Sequence, residues 1–219
     1  MIIVGICGGS GRGKSTFAER IRDGLSCSCE IMRLDCYYFD QGGKPFEERT
    51  KVNYDSPEIF DFDEMLADIR LLLDGKPVTR KGYNYAEHRR DDSEELMYPP
   101  EVLIIEGIHV FYDDRICDIM NLKLFIKVDS DICLLRRITR DMNERGRSLE
   151  SISEQYKATV KPMREKYIDK YIDKADVVVM RGGMNEQALK TTISYLKSCV
   201  KEQRPAESEK NESDGNDSE

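Results

Sequence analysis

Short apolar runs and amphipathic stretches alternate along this chain from its first residues. IIVGIC at 2–7 is an apolar run, and a helical pattern follows directly, with Phe17, Ile21 and Leu25 recurring across residues 14 to 25 and Gly24 as a breaker near the end. EIMRL at 30–34 predicts a second short strand. VLIIEG at 102–107 is a nearly continuous apolar run ending in an acid, the pattern of a central parallel strand buried on both faces. KLFIKV at 123–128 and ADVVVM at 175–180 predict a fourth and a fifth strand. Between them lie an amphipathic helix within 54–74, carried by Phe62, Met65, Leu66, Ile69, Leu72 and Leu73 and closed by Gly75 and Pro77, and a helix through Ile132, Leu135, Ile138 and Met142. Further helices are expected at about 148–170 and 188–196. Residues 36–53 have no period and predict a long loop over a site, and the polar, aromatic, β-leaning stretch 77–98 predicts a hairpin excursion. The alternation predicts an α/β fold: one domain over about residues 1–200, a doubly wound parallel sheet of about five strands with helices on both faces.

Composition narrows this only slightly. A chain of 219 residues with 39 % hydrophobic content can bury a real core. Its net charge of −8 argues against a general nucleic-acid binder or a protein of anionic membrane surfaces, so any anion affinity must be local. No run approaches membrane-spanning length, which predicts a soluble protein. The seven cysteines are odd in number and lack C-x-x-C or Cys/His spacing, as expected for reduced, cytoplasmic thiols. Residues 202–219 hold seven acids, two bases and no large apolar side chain, which predicts a disordered acidic tail.

The chemistry concentrates where the first strand meets the first helix. Gly8-Gly9-Ser10-Gly11-Arg12-Gly13-Lys14-Ser15, followed by Thr16, is the G-x-x-x-x-G-K-S spacing of a phosphate-binding P-loop. Closely spaced oxyanions are best held by a concave ring of backbone N–H groups, and glycine lets the backbone approach that closely. The helix start adds unpaired N–H groups, Lys14 can reach the outer phosphates, and the Ser15 hydroxyl can ligate Mg²⁺.

Other residues select among P-loop proteins. A guanine-specifying N-K-x-D and an L-S-G-G-Q signature are both missing. In their place stand Asp35 just after the second strand and Glu106 at the end of the third; at strand carboxyl ends both should converge beside Ser15, one to hold Mg²⁺ and one to accept the attacking hydroxyl's proton. The stretch from Arg136 to Arg147 carries Arg137, Arg140 and Arg145. It reads either as the charged face of a helix paired with Asp141, Glu144 and Glu150, or, around Arg145-Gly146-Arg147, as a lid at about 140–150 that neutralises phosphoryl charge and excludes water.

These residues resemble the uridine kinase branch of the P-loop phosphoribulokinase/uridine kinase group over roughly residues 2 to 196. The likeness is carried by Asp35-Cys36-Tyr37-Tyr38, Asn53-Tyr54-Asp55-Ser56-Pro57, Tyr83-Asn84-Tyr85 with Glu87-His88-x-Arg90, Glu106-Gly107-Ile108, the arginine stretch through Ser148, Gln155-Tyr156, Val160-Lys161-Pro162 and Arg181-Gly182-Gly183. The resemblance implies ATP- or GTP-dependent phosphorylation of uridine and cytidine. In it Asp35 would be the general base, and Ser15, Asp35 and Glu106 would surround Mg²⁺. Asp55 would hold the ribose with Arg137 or Arg147 and Gln155, Tyr83 and His88 would read the pyrimidine edge, and Arg140 and Arg145 would serve the phosphates with Lys14. It also implies a homotetramer with CTP feedback. His109 is expected to be structural. The chain departs from the family pattern at Arg12, at Ser56 and at Lys81-Gly82. A phosphopentose or pantothenate-like acceptor is the alternative within the fold, and a nucleotide-binding regulator without turnover the alternative outside it.

Overall fold

The computed structural model describes residues 1–203, so most of the acidic tail lies outside the described residues. In chain order the elements are β1 (Ile2–Cys7), α1 (Lys14–Gly24), β2 (Cys29–Arg33), α2 (Phe46–Arg49), α3 (Phe62–Leu73), β3 (Val78–Asn84), β4 (Arg89–Met97), β5 (Val102–Gly107), α4 (Asp114–Cys117), β6 (Leu122–Lys127), α5 (Ser130–Arg145), α6 (Leu149–Gln155), α7 (Lys161–Lys166), β7 (Val177–Met180) and α8 (Glu186–Gln203). Five strands pair in parallel in the order β2-β5-β1-β6-β7, while β3 and β4 form a separate antiparallel hairpin.

The apolar runs occupy the middle of the sheet because they can be buried on both faces. Successive side chains of a strand point to opposite sides, so Ile3, Leu103, Ile105 and Phe125 enter one core, and Ile2, Val4, Ile6, Val102, Ile104 and Leu124 enter the other. Phe17, Ala18 and Ile21 of α1 with Leu189, Leu196 and Val200 of α8 cover the second face. Met65, Leu66, Ile69 and Leu72 of α3, with Phe111, Ile116 and Tyr171, cover the first.

Four expectations are corrected. The amphipathic helix starts at Phe62 instead of near residue 54, because Pro57 sits in a 3₁₀ turn (Pro57–Ile59), Phe60 bridges Tyr38, and Asp61 caps the helix by accepting from the Glu64 amide at 2.8 Å. The expected long loop is partly ordered by a 3₁₀ turn at Leu34–Tyr37 and by α2. The single helix expected at 148–170 is instead α6, a π-helical turn at Tyr156–Val160, α7, and a 3₁₀ segment at Ile168–Lys174. Pro162 cannot donate a hydrogen bond to the preceding turn, and the widened turn lies just before it. Helix α8 also runs past 196 to Gln203, taking in the first two residues of the expected tail.

Removing the cap should show how far α3 depends on it. Asp61→Ala is expected to cost about 1 kcal/mol, which for a domain of this size lowers the melting temperature by roughly 2–4 °C; calorimetry checks this.

Candidate functional site

The carboxyl ends of β1, β2 and β5 open into one crevice, as expected for a sheet in which β1 lies between β5 and β6. The crevice is a cleft of about 1090 Å³ whose walls include Lys14, Ser15, Asp35, Glu106, Arg140, Arg145, the hairpin and α6. On the described residues no helix is long and apolar enough to cross a membrane.

The P-loop sits between β1 and α1 in a conformation that its glycines permit. Gly11 has φ +79°, and a Cβ there would stand 2.6 Å from the Cys133 carbonyl oxygen, so only a glycine lets the loop lie against the first turns of α5. Lys14 is buried, with Nζ 3.5 Å from the Gly9 carbonyl oxygen, so its stem folds back over the loop. Ser15 and Thr16 open onto the cleft. The Ser15 hydroxyl donates to Glu106 Oε1 at 2.7 Å, and Arg33 Nε stands 3.7 Å from the same oxygen. Glu106 is 6 % exposed, and burial raises its pKa against the opposing pull of Lys14.

Arg12 turns away from this cleft. Its guanidinium lies 5.2 Å from the Phe125 ring centroid and donates to Asp169 at 2.7 Å, so its side chain braces the back of the loop where a phosphate contact was expected. Gly8 and Gly9 likewise belong to the base of the loop and not to the cleft wall, whereas Ser10, Gly11 and Gly13 line it.

Asp35 leaves β2 on the 3₁₀ turn and reaches the cleft, where Oδ2 accepts from the Tyr85 hydroxyl at 2.5 Å. The Arg145 guanidinium lies over the Tyr85 ring, 4.3 Å from its centroid. A carboxylate from the sheet, an aromatic from the hairpin and a cation from the end of α5 are thereby linked. Sequence reasoning assigned Tyr85 no role; its signal was the spacing of two from Tyr83, which puts both on one face of an extended segment.

The far end of the cleft is built from different elements. Asp55 is buried, its Oδ2 accepts from the Thr159 hydroxyl at 3.0 Å, and burial raises its pKa while Arg137 opposes the rise. Arg137 and Arg147 both donate to Gln155 Oε1, at 2.9 and 2.5 Å. His109 underlies this group. The Asp55 carbonyl can only accept, so His109 Nε2 carries the proton and donates to it at 2.7 Å, and Nδ1 accepts from the Tyr171 hydroxyl at 2.9 Å. The ring is therefore neutral, with burial lowering its pKa to about 4.

On the hairpin, Lys81 pairs with Glu94 but Tyr83 pairs with Arg90, so an irregularity at Gly82 re-aims Tyr83. Tyr83 packs against Tyr38, with ring centroids 4.7 Å apart. His88 has φ +51° at the hairpin tip and packs on Tyr54 at 5.2 Å. Burial first, then the nearby Arg147, lowers its pKa, so it too is neutral near pH 7. Arg140 Nη2 lies 3.4 Å from Ser10 Oγ over the P-loop. Gly146, at φ +62°, ends α5 and does not interrupt it, so the expected lid is the α5–α6 corner.

A P-loop lysine, a strand-end acid bonded to the following serine, a second acid beside it and an arginine wall define a phosphotransferase of the P-loop kinase class. The chain belongs to the phosphoribulokinase/uridine kinase family, whose model matches residues 3–188. It is 41 % identical over 201 residues to the uridine kinase of Ligilactobacillus salivarius, covering 91 % of this chain and 94 % of that one. It is 43 % identical over 202 residues to the uridine kinase of Streptococcus pyogenes serotype M5, covering 92 % and 97 %. Among solved structures, phosphoribulokinase from Rhodobacter spheroides shares the fold with a TM-score of 0.61 at 15 % identity, over 82 % of this chain and 69 % of that one.

The state of His109 makes stability depend on pH. Its folded pKa of about 4 lies below the ordinary 6.5, so its contribution is fully present above pH 6.5 and is lost as pH falls toward 4. Compared with His109→Gln, the wild type should lose up to about 3 kcal/mol more stability across that window, at 1.36 kcal/mol per pKa unit; urea unfolding at pH 7.5 and pH 4.5 measures the difference. Parallel losses in both proteins would mean that other groups carry the acid sensitivity.

Proposed function

We propose that this protein is a cytoplasmic pyrimidine-nucleoside kinase, transferring the terminal phosphoryl group of ATP or GTP to the 5′-hydroxyl of uridine and cytidine. The observation that carries the reading is that one cleft is lined both by Lys14, Ser15, Asp35 and Glu106 and by Asp55, Arg137, Gln155, Tyr83 and His88. Its family and its resemblance to proteins named uridine kinase support it.

Asp35 accepts the 5′-hydroxyl proton as that oxygen attacks the terminal phosphorus and the bond to the leaving diphosphate breaks. With Oδ2 held by Tyr85, the other carboxylate oxygen is left to the substrate. Lys14, Arg140 and Arg145 stabilise charge on the moving phosphoryl group. Ser15, Glu106 and Asp35 offer a hydroxyl and two carboxylates, the hard oxygen donors that Mg²⁺ prefers, and Arg33 stands 3.7 Å from the buried Glu106 carboxylate. These oxygen donors would hold Mg²⁺, which would supply positive charge to offset the negative charge of the phosphates. Asp55 takes the ribose hydroxyls with Arg137, Arg147 and Gln155. The neutral His88, with one donor and one acceptor, reads the pyrimidine edge beside Tyr83. A homotetramer is part of this reading by family resemblance alone.

A phosphopentose acceptor remains the second reading, since phosphoribulokinase shares the fold. The aromatic wall formed by Tyr83 and His88 of the hairpin with Tyr54 packed against both favours a flat base instead. Product formation from uridine, cytidine, adenosine, ribulose 5-phosphate and pantothenate, each with Mg²⁺ATP and Mg²⁺GTP, tests the reading; turnover of ribulose 5-phosphate alone would overturn it.

Two substitutions test the roles. Asp35→Asn should lower kcat by roughly 10² or more while nucleotide binding persists. His88→Ala should leave ATP binding intact and raise KM for uridine by roughly 5- to 150-fold, the cost of an unsatisfied polar partner. Unchanged kcat/KM for uridine and cytidine would remove His88 from the site.

A further inference from the structure

The arginine wall is organised by a carboxylate that the phosphate reading leaves unused. Asp141 lies one helical turn before the end of α5 and is 0 % exposed. Oδ1 takes Arg140 Nη2 at 2.8 Å and Arg145 Nη1 at 3.3 Å, while Oδ2 has Arg137 Nε at 3.5 Å and Arg147 Nη1 at 3.7 Å. The Asp141 carbonyl also accepts from the Arg147 amide at 3.1 Å, which fixes the corner where α5 ends. Four guanidiniums at such spacing repel one another, and a single carboxylate cannot neutralise them. Gln155 adds an acceptor for two of them but no charge.

Resting on the reading of this cleft as a polyphosphate site, we propose that Asp141 is a positioning residue that holds Arg140 and Arg145 in their phosphate-facing arrangement before nucleotide arrives and competes with the incoming phosphate for them. Arg140 shows the geometry: it spans from Asp141 to Ser10 of the P-loop, so one guanidinium touches both the internal anion and the edge of the expected external one. The competing carboxylate weakens ground-state anion binding. In exchange the arginines need not be collected during the reaction, when their charge acts on the transferring group.

The two effects have opposite signs, which separates this role from a merely structural one. Asp141→Asn keeps the side-chain volume and removes the charge. It should bind inorganic tripolyphosphate about 5-fold or more tightly than wild type, since one repelling charge at cleft distances is gone, while kcat with Mg²⁺ATP and uridine falls by roughly 10-fold as the arginines lose their register. Asp141→Glu, which keeps the charge but displaces it, should bind tripolyphosphate within about 2-fold of wild type and still lose turnover. Titration calorimetry and steady-state kinetics read the two arms. Tripolyphosphate binding by Asp141→Asn that is equal to or weaker than wild type would overturn the proposal. Should Asp141→Asn not fold, Asp141→Glu decides alone, and wild-type kcat in that variant overturns it. A wild type that binds tripolyphosphate but does not phosphorylate uridine would remove the acceptor assignment and leave the binding arm standing; a wild type that does not bind tripolyphosphate would remove both.

Discussion

The hydrogen bond from Ser15 to Glu106 joins the first residues of α1 to the end of β5, across the pairing of β1 with β5. The rest of the cleft depends on that junction. Both strands are buried on both faces, so neither can shift register without moving its whole apolar set. The P-loop that follows β1 and the acid that ends β5 are therefore held at fixed separation by the core itself. Burying Glu106 raises its pKa, a cost the apolar strand would not carry for packing alone. The strand spends core stability to place one carboxylate beside the serine.

From that junction the cleft's charges spread in opposite senses along its two walls. The sheet side supplies acids, Asp35 and Glu106; the α5–α6 side supplies Arg137, Arg140, Arg145 and Arg147. They meet at Tyr85, whose hydroxyl serves Asp35 and whose ring faces Arg145. An aromatic residue can do both because its polar tip and its π face are different surfaces of one rigid group. A hairpin that moved would disturb both walls together, so they are mechanically linked even though different elements build them.

How much of this was legible in sequence follows the range of the interactions. Strands β1, β5 and β6 announced themselves through continuous apolar runs, and the P-loop through glycine spacing, because local sterics decide both. The boundary of α3 was misread because its start depends on a bridge between Tyr38 and Phe60, a contact no local pattern contains. Arg12 was expected at the phosphates from its place in the loop; its pairing with Asp169, 157 residues away, turns it to the back. Asp141 appeared in the sequence only as one acid among several partners for a charged helix face. Its burial accompanies the packing of α5 against α6 and the four arginines gathered around it.

The same distinction bears on what this fold can vary. The side with Ser15 and Glu106 is set by β1, β2 and β5, whose side chains fill two cores, so changes there cost stability. The wall around Asp55 rests on the hairpin, which has its own two-stranded sheet, and on Asp55, whose backbone carbonyl is tied down by the buried His109. Two of the three departures read from the sequence lie on that side, Gly82 at the irregularity before Tyr83 and Ser56 just before the 3₁₀ turn next to Asp55, while Arg12 lies behind the P-loop. A re-aimed hairpin reshapes that wall without touching the register of the central strands. That wall of the cleft can thus change shape on a constant central sheet, and phosphoribulokinase from Rhodobacter spheroides shares the fold at 15 % identity.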